Sequence, residues 1–284
     1  MTEAQRAALP ADYNDEAAPS YNAGEIVELP GGGSFEVVKM DINKSEDLQR
    51  VAAYVKEKYG GLDGVCHNAG IAVNADQFEV LTIDEDMGTN YFATKNAIKA
   101  FYPLMRANGR ICVVSSLSGN EAVLQMKEQL GDAGKALYDR FVAEDITEEH
   151  IDTLVAEYRA CCVAGDREAR GWPVSPYSVS KAAITAFVRY CAKEYVPEKH
   201  ADVQPGVIIN ACCPGYCHTA LTGFEGHLTT DQGAVMPLML LTLPEGSPSG
   251  KFYTQGQVAP VDYFSMEQIM LPAEAQPHLK DWAF

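Results

Sequence analysis

Apolar and polar positions along this chain of 284 residues follow two rhythms, one near four and one near two. Leu48, Val51, Ala52, Val55 and Tyr59 recur at helical spacing. Ser45 precedes them as an N-cap, Glu46 and Asp47 suit the first turn, and Gly60-Gly61 stops the run. Phe35 to Asp41 reads as a strand, with β-branched residues in partial alternation, and the apolar Val65-Cys66 leads into His67-Asn68-Ala69-Gly70. Strand, helix and strand in roughly 35 residues mark a parallel βαβ unit. The rhythm continues with a helix over Thr89 to Met105, a buried strand over Arg110 to Val114, and a second buried strand over Val207 to Cys213. Uninterrupted apolar strands alternating with helices predict an α/β protein built on a doubly wound, Rossmann-like parallel sheet.

Three segments depart from this rhythm. Residues 1–34 open on an Ala-, Asp-, Glu- and Asn-rich stretch without a period and form an atypical, disordered leader, ending in the loop Pro30-Gly31-Gly32-Gly33. Residues 120–172 form a helical insertion within the domain 35–284; Thr147 or Asp145 caps its second helix, with Ile151, Leu154, Val155 and Tyr158 on one face. Residues 216–230 are polar, a candidate substrate flap, before a helix from Thr230 to Leu243 and a short strand at Gly250 to Tyr253.

In sheets of this kind ligands bind outside the carboxyl ends of the strands. Asn68, Ser116 and Pro214-Gly215 stand at such ends. Helix formers without a breaker follow Ser175-Pro176-Tyr177-Ser178-Val179-Ser180-Lys181, so Tyr177 and Lys181 lie one helical turn apart on one face. An ammonium beside a phenol favours the phenolate and tunes the tyrosine for proton transfer. Each piece alone has a plainer reading: the pair as surface residues, Ser115-Ser116 as a cap, Asn68-Ala69-Gly70 as a turn.

Composition narrows the partners. A formal charge of −17 opposes nucleic acid and anionic membrane alike. No stretch has the length needed to span a bilayer, and no basic region followed by an apolar run opens the chain, so a cytoplasmic protein is expected. The eight cysteines match no zinc spacing and read as reduced core thiols; His67 and His218 have no companions, and no metal is expected.

Asn68-Ala69-Gly70, Thr89-Asn90, Val113-Val114-Ser115-Ser116, Tyr177-Ser178-Val179-Ser180-Lys181 and Asn210-Ala211-Cys212-Cys213-Pro214-Gly215, in that order, resemble the short-chain dehydrogenase/reductase family. Within it they are closest to the monomeric carbonyl reductases, which also carry a long insertion before a segment like Gly171-Trp172-Pro173. The resemblance covers about residues 34–258 and implies NAD(P)H-dependent reduction of a small ketone, aldehyde or quinone, with NADP(H) ahead of NAD(H). It implies that Tyr177 protonates the substrate oxygen, Lys181 lowers the tyrosine pKa and holds the nicotinamide ribose, Ser116 binds the carbonyl and Asn90 anchors a proton relay. Asp41 would meet the adenine, Asn68, Ala69 and Gly70 would follow the cofactor ribose, and Pro214, Gly215 and Thr219 would flank the nicotinamide. Tyr216 would wall the substrate. The insertion would cover the face through which other members oligomerise, giving a monomer unless a partner chain completes the sheet.

One family feature is missing. The first strand, its Thr-Gly-x-x-x-Gly-x-Gly turn and the helix that follows normally bring backbone amides to the cofactor pyrophosphate. The glycines at 31–33 precede a strand instead, and no basic residue after a second strand separates NADP from NAD. The sheet is therefore expected to lack or replace its first strands. The competing reading is a catalytically silent or truncated scaffold that does not bind cofactor.

Overall fold

Strands whose residues are apolar on both faces need helices on both sides, and this requirement sets the architecture. The computed structural model describes residues 23–73 and 80–279. In chain order its main elements are β1 (Ile26–Glu28), β2 (Ser34–Glu36), α1 (Ser45–Tyr59), β3 (Leu62–His67), α2 (Val80–Asp86), a π-helix (Met87–Ala93), α3 (Thr94–Phe101) and β4 (Met105–Val114). There follow α4 (Leu117–Glu128), α5 (Gly131–Val142), α6 (Glu148–Ala164), α7 (Pro176–Glu194), β5 (Ile208–Cys212), α8 (Thr230–Leu241), β6 (Phe252–Thr254) and β7 (Gln257–Ala259). The main sheet has the order β3-β4-β5-β6-β7. Its first four strands are parallel, with Val65 opposite Ile111 and Ile111 opposite Ile209, and β7 returns antiparallel to β6.

All five residues of β5 are buried, and α7 beside it buries thirteen of its nineteen. On one face α7 packs with α4, the π-helix and α6; on the other, α8 covers Cys112, Cys212 and Tyr253 through Met236 and Leu240. The insertion is tied in by chemistry as well as packing. Arg189 of α7 donates to the carbonyls of Phe141, Val142 and Ala143 at 2.7, 2.8 and 3.0 Å, satisfying the end of α5. Trp172 is buried edge-on to Phe141 and Tyr158. Thr147 caps α6, as its sequence predicts, by accepting the His150 N–H at 3.2 Å.

The amino-terminal edge corrects the sequence reading. The strand expected over Phe35 to Asp41 is confined to Ser34–Glu36, and it pairs antiparallel with β1 in a separate two-stranded sheet. A strand exists through its partners, and β3 pairs only with β4 among the described residues. Val38, Met40 and Ile42 instead pack half-buried against the cluster of Leu48, Val51, Ala97 and Phe101. Glu36 ties the hairpin to α1 by accepting from Tyr54, Lys58 and Tyr59 at 2.6 to 2.7 Å. Ser45 is the first residue of α1 and not its cap; the cap position falls on Lys44, which makes no side-chain capping bond, while Asp47 in the first turn accepts the Asp41 N–H at 2.8 Å. The leader expected over 1–34 lies outside the described residues up to position 22.

Candidate active site

Helix α7 begins on Ser175, whose hydroxyl accepts the Ser178 N–H at 3.1 Å, with Pro176 at the position where a missing N–H costs nothing. Tyr177 and Lys181 follow one turn apart. Three contacts lock this helix to the carboxyl end of β4. Ser115 shares a 2.7 Å hydrogen bond with Thr185 and donates to the Lys181 carbonyl at 3.1 Å. Gly119 of α4 crosses so close that a Cβ there would stand 2.7 Å from the Lys181 carbonyl carbon. Ser116, the N-cap of α4, accepts the Ser118 N–H at 3.1 Å, and its hydroxyl stands near the Tyr177 phenol.

The π-helix carries Asn90. A π-turn re-aims the side chains within it and is frequent at functional sites. Asn90, 1% exposed, donates to the Ile71 carbonyl at 2.8 Å and to the Ser180 hydroxyl at 3.1 Å, and accepts the Ile71 N–H at 2.9 Å. The segment leaving Asn68-Ala69-Gly70 is thereby fixed over the end of β4. A Cβ on Gly70 would meet Asn90 Oδ1 at 3.1 Å and Lys181 Nζ at 3.3 Å, so both polar atoms face the Gly70 backbone.

Electrostatics differ from the sequence expectation. Burial pushes the Tyr177 phenol up to about 12, the nearby Ser116 hydroxyl working against it. Burial also brings the Lys181 ammonium down to about 8. Lys181 Nζ lies 5.6 Å from the centre of the tyrosine ring and donates to the Val114 carbonyl at 3.1 Å. The lysine therefore does not lower the phenol in this arrangement; it addresses the ring face and β4. A protonated phenol suits the giving of a proton more than the taking of one.

These groups stand on the wall of a cleft of about 1150 Å³. Asn68, Ala69, Gly70, Ser116, Tyr177, Lys181, Pro214, Gly215, Tyr216 and Thr219 all line it, so most of the residues singled out in the sequence converge. Asn90 stands directly behind its wall. Asp41 does not line the cleft; its carboxylate accepts the Asn43 N–H at 3.0 Å and faces Lys44 at 3.6 Å, because the segment bearing it never enters the sheet.

Sequence reasoning missed part of the wall. Pro237, Leu238 and Leu241 of α8 and Cys66 of β3 complete it; the helical period of α8 was legible, but not which face lay over a cavity. Asp86, one turn before Asn90, is 1% exposed, accepts the Val73 N–H at 3.4 Å and is pushed by burial up to about 6. Only its place one turn from Asn90 could have signalled it. Among the described residues no group of three metal-ligating side chains occurs, and no helix is long and apolar enough to cross a membrane.

Known proteins resemble this chain in sequence and fold. The family model described as short chain dehydrogenase matches residues 3–128. Short-chain dehydrogenase/reductase 1 of Saponaria officinalis is 32% identical over 84% of this chain and 83% of its own. The NADPH carbonyl reductase 3 of Rattus norvegicus is 31% identical over 72% of each chain. Among solved structures, salutaridine reductase from Papaver somniferum superposes with a TM-score of 0.60 at 25% identity, covering 75% of this chain and 80% of that one. The chain belongs to the short-chain dehydrogenase/reductase family, a family of oxidoreductases.

Proposed function

We propose that the protein is an NADP(H)-dependent carbonyl reductase acting on a small ketone, aldehyde or quinone. The observation that carries this reading is the pair of hydroxyls, Ser116 and Tyr177, which line one cleft together with Lys181. A carbonyl oxygen placed between them meets two donors, and donors aimed at an oxygen that gains negative charge favour its reduction. Tyr177 then passes its proton to that oxygen as the carbonyl becomes an alkoxide, and Ser116 holds the oxygen in place. Lys181 positions the tyrosine ring from below and takes the ribose hydroxyls. Asn90, by gripping Ile71, holds Asn68-Ala69-Gly70 where a ribose would lie along them.

The nicotinamide cofactor supplies the hydride when bound. The cleft's volume and the convergence of Lys181, Gly70, Pro214, Gly215 and Thr219 fit its nicotinamide and ribose half. NADP(H) is put ahead of NAD(H) because the relatives in this branch are named as NADPH carbonyl reductases. Helix α6 of the insertion packs over α7 through Ile151, Leu154 and Val155, which supports a monomer; a cytoplasmic, small-molecule enzyme is the matching cellular role.

The other reading, a silent scaffold, draws on the pyrophosphate end. Among the described residues the glycines at 31–33 join β1 to β2 and open no helix, so no glycine turn offers amides to the cleft. Titration of the purified chain with NADPH, read by melting temperature, separates the two. A rise that saturates with cofactor supports the reductase. A folded protein with no shift at millimolar NADPH sinks it.

A further inference from the structure

The turn that carries Asn90 is held from two sides, and the second support comes from the insertion. The π-helix Met87–Ala93 lies between α2 and α3. A π-turn is rare and occurs mostly as a single turn within α-helices, so contacts outside it must hold it. Asn90 and Tyr91 are consecutive and point to different faces, whereas Tyr91 and Lys95, four apart, share one. The Asn90 face meets Ile71 and Ser180. The Tyr91 face meets Asp152 of α6.

The Asp152 carboxylate accepts three hydrogen bonds there: the Tyr91 hydroxyl at 2.7 Å on Oδ1, and Lys95 Nζ at 2.7 Å on Oδ1 and 2.8 Å on Oδ2. Tyr91 is fully buried and Lys95 is 6% exposed. Burial, and after it the hydrogen bond to Asp152, pushes the Tyr91 phenol up, so it stays a donor. The Lys95 ammonium also faces Glu148 at 3.3 Å and lies over the Tyr91 and Phe92 rings at 5.3 and 5.2 Å. Inside the turn, Thr94 Oγ1 donates to the Thr89 carbonyl, five residues back, at 3.2 Å. An apolar contact would anchor the insertion as well as a buried ion pair does. Directional bonds to two side chains on one face do something more: they fix the rotation of the helix about its axis. That rotation decides where Asn90 points.

We propose that Asp152 is a positioning residue of the candidate site: by drawing Tyr91 and Lys95 onto the insertion it fixes the rotation of the π-turn and so sets Asn90 against Ile71. The insertion then does more than cover a face of the sheet. It sets how firmly Asn68-Ala69-Gly70 is held for the cofactor ribose, a consequence that rests on the reductase reading.

In the full chain labelled with ¹⁵N-asparagine, the Asn90 side-chain amide, assigned by Asn90→Asp, is expected to exchange slowly, since it is buried and bonded to Ile71 and Ser180. Asp152→Asn removes the charge and one acceptor at nearly constant shape. In that variant the Asn90 signals should move and exchange about tenfold faster. NADPH affinity should weaken by about tenfold while KM for the ketone changes by less than about twofold. Asp152→Glu should restore both effects in part. Glu157→Gln, which breaks the exposed pair of Glu157 with Arg140 on the same helix, should move neither. Asn90 signals that stay put in Asp152→Asn, or that move equally in Glu157→Gln, would overturn the proposal. If Asp152→Asn does not fold, Tyr91→Phe removes one hydroxyl from the same clamp: a smaller shift of the Asn90 signals supports the proposal, and none overturns it. The amide signals need neither NADPH nor turnover. An Asn90 that follows Asp152 in a chain that binds no NADPH would therefore strike the reductase reading and leave the clamp standing.

Discussion

The two ends of the sheet are held by different physics. Around β4, β5 and α7 the chain is joined by buried contacts: a fully buried strand, Ser115 on Thr185, Gly119 against the Lys181 backbone. At the amino-terminal edge the β1–β2 hairpin hangs on an exposed cluster in which Tyr54, Lys58 and Tyr59 grip Glu36, and β3 is paired on one side only among the described residues. Close packing resists displacement of even one methyl group, whereas exposed ion pairs contribute little. The proposed catalytic groups sit in the first region; the segment that the proposed function would bring to the far end of a dinucleotide belongs to the second. On the proposed function, substrate chemistry and cofactor grip rest on separate regions of this chain.

The sharpest way to break that comparison is at the phenol. Tyr177→Phe removes the proton donor but leaves the ring, the Lys181 contact and the cleft, so turnover should fall by roughly 10²–10⁴-fold. The NADPH-dependent melting shift should persist, since the ring stays beside Lys181. Residual turnover near the wild-type rate would remove Tyr177 from the role of acid.

Packing can be probed with one kind of substitution in both regions. Gly119→Ala sets a methyl within 3.0 Å of three Lys181 and Ala182 atoms, two of them backbone, and should cost about 1–3 kcal/mol with a parallel loss of turnover as Lys181 shifts. Gly31→Ala, in the hairpin loop with nothing within 4 Å, should change stability by less than about 0.5 kcal/mol. Denaturant unfolding of the two variants measures both. Equal costs would mean that the edge is packed as tightly as the centre. Amide exchange sharpens the same contrast: Ile209 and Ala211 of β5 should exchange orders of magnitude more slowly than Val65 of β3.

What could be read in the sequence follows the same division. The buried strands at 110–114 and 207–213, the helix from Tyr177 and the Thr147 cap were legible because local pattern and tertiary packing agree there. The convergence on one cleft was legible for Ser116 and the strand-end turns because strand ends are where such folds place ligands, and for Tyr177 and Lys181 because helical spacing sets them on one face. Phe35 to Asp41 misled because alternation describes a surface that fits a sheet, not the presence of a neighbour to pair with. The direction of the tyrosine's shift was illegible for another reason: residue spacing gives the closeness of Lys181 but not the burial of both groups.

The pH dependence of cofactor binding offers a smaller effect with a definite sign. Lys181 is lowered by burial to about 8, so it carries its charge below that value and loses it above. If the ammonium holds the ribose, NADPH affinity should be level at neutral pH and weaken as pH rises through about 8. The phenol remains protonated over the same range, so reduction is not limited by the acid there. Fluorescence titration of NADPH at several pH values measures this; a flat profile would detach Lys181 from the cofactor.

The smallest effect expected is on stability, at Asp86. Burial raises its carboxyl from 3.8 to about 6, so the folded protein holds the proton more tightly than the unfolded chain. The stability this group contributes is complete below its unfolded value and is lost as pH rises through about 6. Asp86→Asn keeps an oxygen for the Val73 N–H and never ionises. The variant should therefore be more stable than the parent by on the order of 1–2 kcal/mol above pH 6, discounting the shift for screening, with the gain vanishing near pH 4. Because Asp86 also lends negative potential to Lys181, its removal should lower the pH at which NADPH affinity declines. Urea melts at the two pH values decide the first point: a variant less stable at neutral pH would mean that the Asp86 carboxylate is held by attraction stronger than its burial cost.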